Sequence, residues 1–162
     1  RLVKIFDYNQ INRELLLAVL LIDEKNNHEY FIHKYNVSNY IKENLHMFAK
    51  NLILIEENKD FFEKDLEKNI YLNDKNHLIN LNILNFVINK KIKLKDFSDT
   101  LKKILQSKKK NFPVDGKYLI DHGMKQGSHI GRVLQKIEEE WIKNNFQISE
   151  DQIKEIIRLH SN

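Results

Sequence analysis

The chain has 162 residues, of which 41% are hydrophobic and 31% are charged, and its formal net charge is +4. This length and composition are typical of a globular protein with one domain or two small ones, and they exclude a disordered chain. The sequence contains no cysteine, which excludes disulfide frameworks, thiolate metal sites and thiolate nucleophiles.

The hydrophobic periodicity of the first part of the chain is helical almost throughout. Short helices are predicted over Ile11 to Ile22 and, after a break at Asn26 and Asn27, over Glu29 to Lys34. Ser38 is predicted to cap the next helix, because its hydroxyl can accept a hydrogen bond from a first-turn amide. That helix has an apolar stripe on one face, formed by Ile41, Leu45, Phe48, Leu52 and Ile55.

Apolar residues at helical spacing predict three further helices before the first proline. The first is marked by Phe61, Phe62, Leu66 and Ile70. The second is marked by Leu78, Leu81, Leu84 and Ile88. The third is marked by Phe97, Leu101, Ile104 and Leu105. Asp74 is predicted to cap the second of these helices, and the third ends in the run Lys108 to Lys110.

A domain boundary is predicted between Ser107 and Phe112, where the lysine run precedes the only proline, Pro113. We expect a multi-helix body over residues 1–110 and a small helical tail over residues 111–162. The tail is predicted to contain a glycine-rich turn of the helix-hairpin-helix type. The sequence therefore predicts an all-α protein.

Within the tail, Asp115 is predicted to cap a short helix that Gly123 closes in a left-handed conformation. A long helix then begins near Gly127. Its buried face is predicted to consist of Ile130, Leu134, Ile137 and Trp141. Ser149 and Gln152 have the spacing of a capping box, which predicts the start of a last helix.

Several kinds of site are excluded or not expected. All four glycines lie between Gly116 and Gly131, so the first 112 residues contain neither glycine nor proline. A P-loop, a dinucleotide fingerprint and a nucleophile elbow each need glycines in a strand–turn–helix unit, and none is present. His28 and His33 are five residues apart, about 140° around a helix, so we expect no metal site there.

The longest purely apolar run, Leu15 to Ile22, is far shorter than the roughly 20 residues that span a bilayer. No basic start is followed by an apolar stretch and a small-residue cleavage site, so we expect no signal peptide. The expected location is the cytoplasm, with no membrane partner.

The glycine turn of the tail offers chemistry for binding an anion. The first amides of the long helix have no intrahelical acceptor, and the helix dipole adds partial positive charge there. Gly127 lets a phosphate approach the backbone closely. Ten lysines against three aspartates between Asn89 and Lys117 can form an electrostatic track for RNA. The candidate phosphate-contacting residues are Lys108, Lys109, Lys110, Lys117, Lys125, Gly127, Ser128, His129, Gly131, Arg132 and Lys136.

Each of these features has a structural alternative. Gly123 can serve only to end a helix, and Gly127 and Gly131 can serve only to let two helices cross closely. The lysine-rich stretch can be a generic solvated surface. The residues by themselves leave both interpretations open.

The tail also has a pattern of residues at fixed spacing: Phe112-Pro113-Val114-x-Gly116, Leu119, Gly123-Met124-x-x-Gly127-x-x-Ile130-Gly131-Arg132-x-Leu134, Glu140-Trp141 and Phe146. This pattern resembles the C-terminal tail of bacterial-type CCA-adding tRNA nucleotidyltransferases and their poly(A) polymerase relatives. Leu15 to Asp23 and the segment Lys34 to Ser38 are more faintly similar to the body region of that family. Relatives often have Asp where Tyr118 stands, and Pro where Gln126 and Ser128 stand.

The resemblance implies a protein that adds CCA to tRNA 3′ ends with a catalytic head, which uses Mg²⁺ and CTP or ATP. It also implies that the body and tail grip the elbow and the acceptor-T stem of tRNA. The sequence has no Glu-Asp-x-x-Arg nucleotide-selecting motif and no glycine-rich head motif. We therefore expect a fragment without its head, with no catalytic, cofactor-binding or metal-binding residue and no activity alone. The expected partners are tRNA and the catalytic head of the same polypeptide.

Two alternatives stay open. A fragment of a poly(A) polymerase-type RNA 3′-end nucleotidyltransferase would have the same pattern, because nucleotide choice is made in the missing head. A non-enzymatic helical scaffold or protein-interaction module would use the glycines for packing only.

Overall fold

A computed structural model describes residue 1 and residues 13–23 and 25–160. In these ranges the chain forms nine α-helices and no strand, so the predicted all-α fold is confirmed for the described residues. None of these helices is long and apolar enough to cross a membrane. The helices are α1 (Arg13–Leu21), α2 (Asn27–Tyr35), α3 (Asn39–Glu57), α4 (Leu66–Leu72), α5 (Lys75–Ile88), α6 (Leu94–Gln106), α7 (Gly116–Asp121), α8 (His129–Lys143) and α9 (Glu150–His160).

The chain divides into two compact units, Arg1–Lys108 and Lys109–Asn162. The first unit contains α1 to α6, and the second contains α7 to α9. The division falls between Ser107 and Phe112, in the lysine run that precedes the proline.

Helix α5 lies at the centre of the first unit and is buried on almost every side. Leu78, Leu81 and Leu84 are completely buried. A helix in this position must satisfy its polar side chains within the protein. The side-chain amide of Asn82 donates a hydrogen bond to the carbonyl oxygen of Phe97 at 3.2 Å, which joins α5 to α6.

The ends of the first helices follow local sequence signals. Residues 11 and 12 of the predicted first helix lie outside the described residues, and α1 ends at Leu21. Asn26 has a left-handed backbone with φ of 55°, whereas Asn27 already belongs to α2. Ser38 caps α3 as predicted, since its hydroxyl accepts from the Ile41 amide at 3.4 Å. Asp74 occupies the N-cap position of α5, but its side chain accepts no hydrogen bond from the first turn, so the predicted cap is wrong.

The helix predicted around Phe61 and Phe62 begins only at Leu66. Residues 59–65 form turns instead, which side-chain amides hold. Asn58 donates to the Asp65 carboxylate at 2.7 Å, and Asn69 donates to the Phe61 carbonyl at 2.7 Å. Asn and Asp side chains offer the backbone such alternatives to helical hydrogen bonds, which explains the error.

Two residues of the predicted apolar stripes lie at the surface. Leu105 is 54% exposed and Ile88 is 40% exposed. Leu105 follows the buried Ile104, so it points about 100° away from the buried face of α6. Ile88 is the last residue of α5.

The second unit has a small core of its own. Its buried residues are Val114, Leu119, Met124, Val133, Ile137, Ile153 and Ile157. Helix α8 buries Val133, Ile137 and Trp141, whereas Ile130 and Leu134 of the predicted face are only half-buried. The prediction is therefore confirmed for Ile137 and Trp141, and the buried face includes Val133 more fully than Ile130 and Leu134.

The predicted capping box at the start of α9 is confirmed. The Ser149 amide donates to the Gln152 side-chain oxygen at 2.9 Å, and the Gln152 amide donates to the Ser149 hydroxyl at 3.2 Å. Such a reciprocal pair satisfies two backbone donors that have no intrahelical acceptor.

Candidate nucleic-acid interface

Helix α7 begins and ends as the sequence predicts. The Asp115 carboxylate accepts from the Tyr118 amide at 2.8 Å. At the other end, Gly123 has φ of +95°, where side chains other than glycine are strained. Its amide donates to Ile120 O at 3.0 Å, and the Met124 amide donates to Leu119 O at 3.0 Å. These two bonds form a Schellman motif, which fixes the direction of the chain after α7.

Helix α8 starts at His129, two residues after the glycine at which the sequence placed its beginning. Ser128 is the N-cap residue, but its backbone is helical and its side chain accepts no hydrogen bond from the first turn. The amide of Ile130 donates to Gly127 O at 3.2 Å. The start of α8 therefore has no side-chain cap, and the partial positive charge of the helix dipole at this end faces solvent.

The two glycines near the start of α8 have different surroundings. A Cβ atom at Gly131 would have nothing within 4 Å, so no close helix crossing explains this exposed residue. A Cβ atom at Gly127 would lie 3.0 Å from the His129 ring. The sequence predicted open access to the backbone at Gly127, but the His129 imidazole lies beside it. At Gly131, by contrast, no side chain covers the backbone of the first turn of α8.

The cations around this turn are exposed, and they differ in their partners. Lys117, Lys125 and Arg132 form no ion pair within the part of the chain that the structure describes. The ammonium of Lys136 instead contacts Nε2 of His160. Because an ammonium can only donate, the imidazole nitrogen is the acceptor in this contact.

The lysine run is divided between the two units. Lys108 belongs to the first unit, and Lys109 and Lys110 belong to the second. The Lys110 ammonium lies 5.8 Å from the centre of the Phe146 ring. Upstream, Lys103 forms an ion pair with Glu63 at 2.6 Å, so it is not one of the unpaired charges of the proposed track.

Charge is distributed unevenly along the second unit. Residues 109–137 have six cationic side chains against two carboxylates, whereas residues 138–162 have three against six. The glycine turn and the start of α8 therefore lie in the positive part. A cluster of one sign raises the local concentration of the opposite sign, here that of phosphate groups.

His122, which flanks the turn, caps the end of α7. Its Nδ1 lies 2.8 Å from Tyr118 O, so Nδ1 must hold the proton that it donates. The two rings stack with centres 4.0 Å apart. His122 also lines a cavity of about 450 Å³ with Lys154, Ile157 and Arg158. The two cations already face carboxylates, Lys154 with Glu150 and Arg158 with Glu155.

Sequence reasoning missed a group of side chains in the first unit. It considered His28 only together with His33 and expected no metal site there, whereas the structure brings His28 together with Glu29 and His46. The Glu29 carboxylate lies 3.0 Å from His46 Nε2 and 3.6 Å from His28 Nε2. This group joins α2 to α3. No set of three His, Asp or Glu side chains in the described ranges could hold a metal ion.

A second buried histidine explains part of the first core. His77 is 7% exposed, and its Nε2 lies 2.9 Å from the side-chain nitrogen of Asn51. The amide donates, so Nε2 is unprotonated. Burial lowers the pKa of His77, and the nearby Asp74 opposes this effect. The ring also stacks on Phe48 at 4.8 Å.

No protein-family model, curated protein or solved structure matches this chain. The interface must therefore be interpreted from its own residues: an uncapped helix start, a bare glycine and unpaired cations, all in the positive part of the second unit.

Proposed function

We propose that this chain binds tRNA, as the body and tail of a CCA-adding tRNA nucleotidyltransferase that takes part in tRNA 3′-end processing. The observation that supports it most is the start of α8. There Gly131 has no packing partner, the Ser128 side chain forms no cap, and Lys125 and Arg132 are exposed. The sequence pattern from Phe112 to Phe146 supports the same family.

Recognition in this proposal works through shape and phosphate contacts. A-form RNA has a deep, narrow major groove that side chains cannot read, so proteins grip its phosphates and 2′-hydroxyls. The first-turn amides of α8 donate to one phosphate, and Arg132 and Lys125 neutralise neighbouring ones. The α7 helix, residues 122–128 and α8 then act together as the helix-hairpin-helix-like element. No base is read at this surface.

Nucleotide transfer in this proposal belongs to the catalytic head, which supplies the metal-binding carboxylates and uses Mg²⁺ with CTP or ATP. The described residues of this chain contain no set of three or more His, Asp or Glu side chains that could hold a metal ion. Their part is to bind the elbow and acceptor-T stem and so position the 3′ end. Such a protein works in the cytoplasm.

The test is a titration of the chain with a tRNA that lacks its CCA end, beside an unstructured RNA of equal length. Both are measured at low and at physiological salt by fluorescence anisotropy. We expect a preference for tRNA that weakens with salt, by about 0.9 log units per tenfold salt for each duplex phosphate contacted.

The other outcomes separate this proposal from its alternatives. Equal, weak binding of both RNAs would show that the lysine-rich surface attracts any RNA by charge alone. This result would contradict recognition of the tRNA elbow. Absence of binding to either RNA would favour a helical scaffold or protein-interaction module. A poly(A) polymerase origin is distinguished by the nucleotides that the full-length gene product adds.

A further inference from the structure

Two tyrosines and a lysine form an exposed group at the end of α2, which we name the tyrosine patch: Tyr30, Lys34 and Tyr35. The Lys34 ammonium lies 5.1 Å from the ring centre of Tyr30 and 5.5 Å from that of Tyr35. Tyr30 nevertheless stays 60% exposed and Tyr35 59% exposed. Both rings therefore have large surfaces in contact with water.

The local helix geometry explains this arrangement. Tyr30 and Lys34 are four residues apart, so they lie one above the other on α2. Tyr35 is the last residue of α2, just before Asn36 with its left-handed φ of 43°. The Tyr35 ring also packs on Phe31 at 5.2 Å, and Phe31 packs against the core of the first unit. The patch is thus attached to a fixed part of the fold.

Two carboxylates flank the patch in sequence, Glu29, which faces His46 at 3.0 Å, and Glu43. Between them, residues 30–42 contain two lysines and one histidine but no Asp or Glu. A third exposed tyrosine, Tyr40, lies in the same stretch and is 63% exposed. Exposed rings next to cations suit a partner that has both flat π-faces and negative charge.

We propose that the tyrosine patch binds single-stranded RNA. Unpaired bases stack on the Tyr30 and Tyr35 rings, and Lys34 contacts the phosphate between them. Stacking platforms with adjacent cations are the usual way in which proteins hold unpaired strands, since every base has a π-face. The patch differs from the tail interface in its unit, its residues and its ligand, because the tail grips duplex phosphates. It does not depend on the function proposed above, and the preference for tRNA over unstructured RNA is measured also in Tyr30→Ala, in which binding of unpaired strands by the patch is weakened.

The test uses the full chain and an oligoadenylate of about 16 nucleotides, at the upper end of common site sizes. Tyr30→Ala and Tyr35→Ala are each expected to weaken binding by about fivefold or more, at low and at physiological salt alike. The conservative variants Tyr30→Phe and Tyr35→Phe keep the ring and should keep the affinity. Leu72→Ala is the matched control, because Leu72 is an equally exposed apolar side chain, 57% exposed, on α4 of the same unit.

Lys34→Met gives a second, electrostatic readout. The salt slope is the decrease in log affinity per tenfold increase in salt concentration. Removing one phosphate contact to a single strand should lower this slope by about 0.7. The tyrosine variants should leave that slope unchanged, because stacking involves no counterion release. If Tyr35→Ala fails to fold because the packing of the Tyr35 ring on Phe31 is lost, the test rests on Tyr30→Ala, which keeps that packing. Unchanged affinity in Tyr30→Ala, or a loss equal to that of Leu72→Ala, would overturn the proposal.

Discussion

The amide of Met124 donates a hydrogen bond to the carbonyl oxygen of Leu119 at 3.0 Å, across the left-handed Gly123. Both side chains are buried in the core of the second unit, Leu119 completely and Met124 to 97%. The first residues of the turn before α8 are thus fixed both by the C-terminal cap of α7 and by the burial of the Leu119 and Met124 side chains. A change at Gly123 should therefore affect stability, whereas a change at Gly131 should affect ligand binding.

Gly123→Ala is expected to lower the free energy of unfolding of the second unit by about 1–2 kcal/mol, because an alanine at this φ is strained. Urea unfolding followed by the fluorescence of Trp141, the only tryptophan and buried in this unit, measures the change. Gly131→Ala is the control. A helical position with open space should gain up to about 1 kcal/mol from the same substitution. Equal losses of stability in both variants would contradict the left-handed backbone assigned to Gly123 and the open helical position assigned to Gly131.

Gly131→Leu is expected to weaken tRNA binding by about tenfold without loss of helicity, which corresponds to one charge-assisted hydrogen bond of about 1.4 kcal/mol. A side chain there meets no other atom within 4 Å of its Cβ, so folding is unaffected, but it covers the first turn of α8. Far-UV circular dichroism and anisotropy measure the two effects.

Gln135→Leu is the matched control, because it adds the same side chain one helical turn further from the start of α8, where no free first-turn amides remain. If both leucines weaken binding equally, the loss is due to general crowding of the helix. If neither does, the start of α8 does not contact RNA.

Arg132→Gln is expected to reduce the salt slope of tRNA binding by about 0.9, the value for one phosphate contact on a duplex. Lys143→Gln removes the same charge from the last turn of the same helix, about 21 Å from His129 at 1.5 Å per residue. That distance exceeds the Debye length of roughly 8 Å at physiological salt, so its slope should stay unchanged. A uniform change in both variants would indicate attraction by net charge rather than a local contact.

The first unit is expected to lose stability as the pH falls below the ordinary histidine value of about 6.5. Burial lowers the pKa of His77 in the folded state, so the unfolded chain takes up the proton first and is favoured by acid. This contribution is fully present above that pH and falls progressively toward the folded-state pKa.

His77→Gln should reduce the stability difference between neutral and acidic pH, because the glutamine oxygen can accept from Asn51 without titrating. Urea unfolding at a series of pH values measures it by circular dichroism. His33→Gln, at an exposed histidine, is expected to keep the wild-type pH dependence. An unaltered pH profile in His77→Gln would show that another group dominates acid unfolding.

Local signals were sufficient for the ends of several helices. The caps at Ser38 and Asp115 and the capping box of Ser149 and Gln152 each involve residues within three positions, so the sequence contains all the partners. Gly123 is equally local, because a left-handed C-terminal residue favours glycine in any surroundings. Asp74 had the right residue type and position, but its side chain does not bond to the first turn.

Contacts between side chains on different helices could not be predicted from the sequence. The pairing of His46 with Glu29 and the contact of Lys136 with His160 join residues on different helices, 17 and 24 positions apart. The sequence suggested an equal phosphate role for Lys136 and Arg132, yet only Lys136 faces a histidine. Whether Gly131 packs against another helix could be answered only from the positions of its neighbours.

The sequence by itself determined that this protein is helical, where several of its helices are capped, and that its glycines and cations converge on one segment of the tail. These properties depend on hydrogen bonds and periodicity within a few residues. Only the tertiary structure decided how deeply each apolar residue of α8 is buried, which cations are unpaired, and that Gly131 has no neighbour on another helix. Packing between helices sets these features, because a side chain's exposure depends on residues that are distant in the chain.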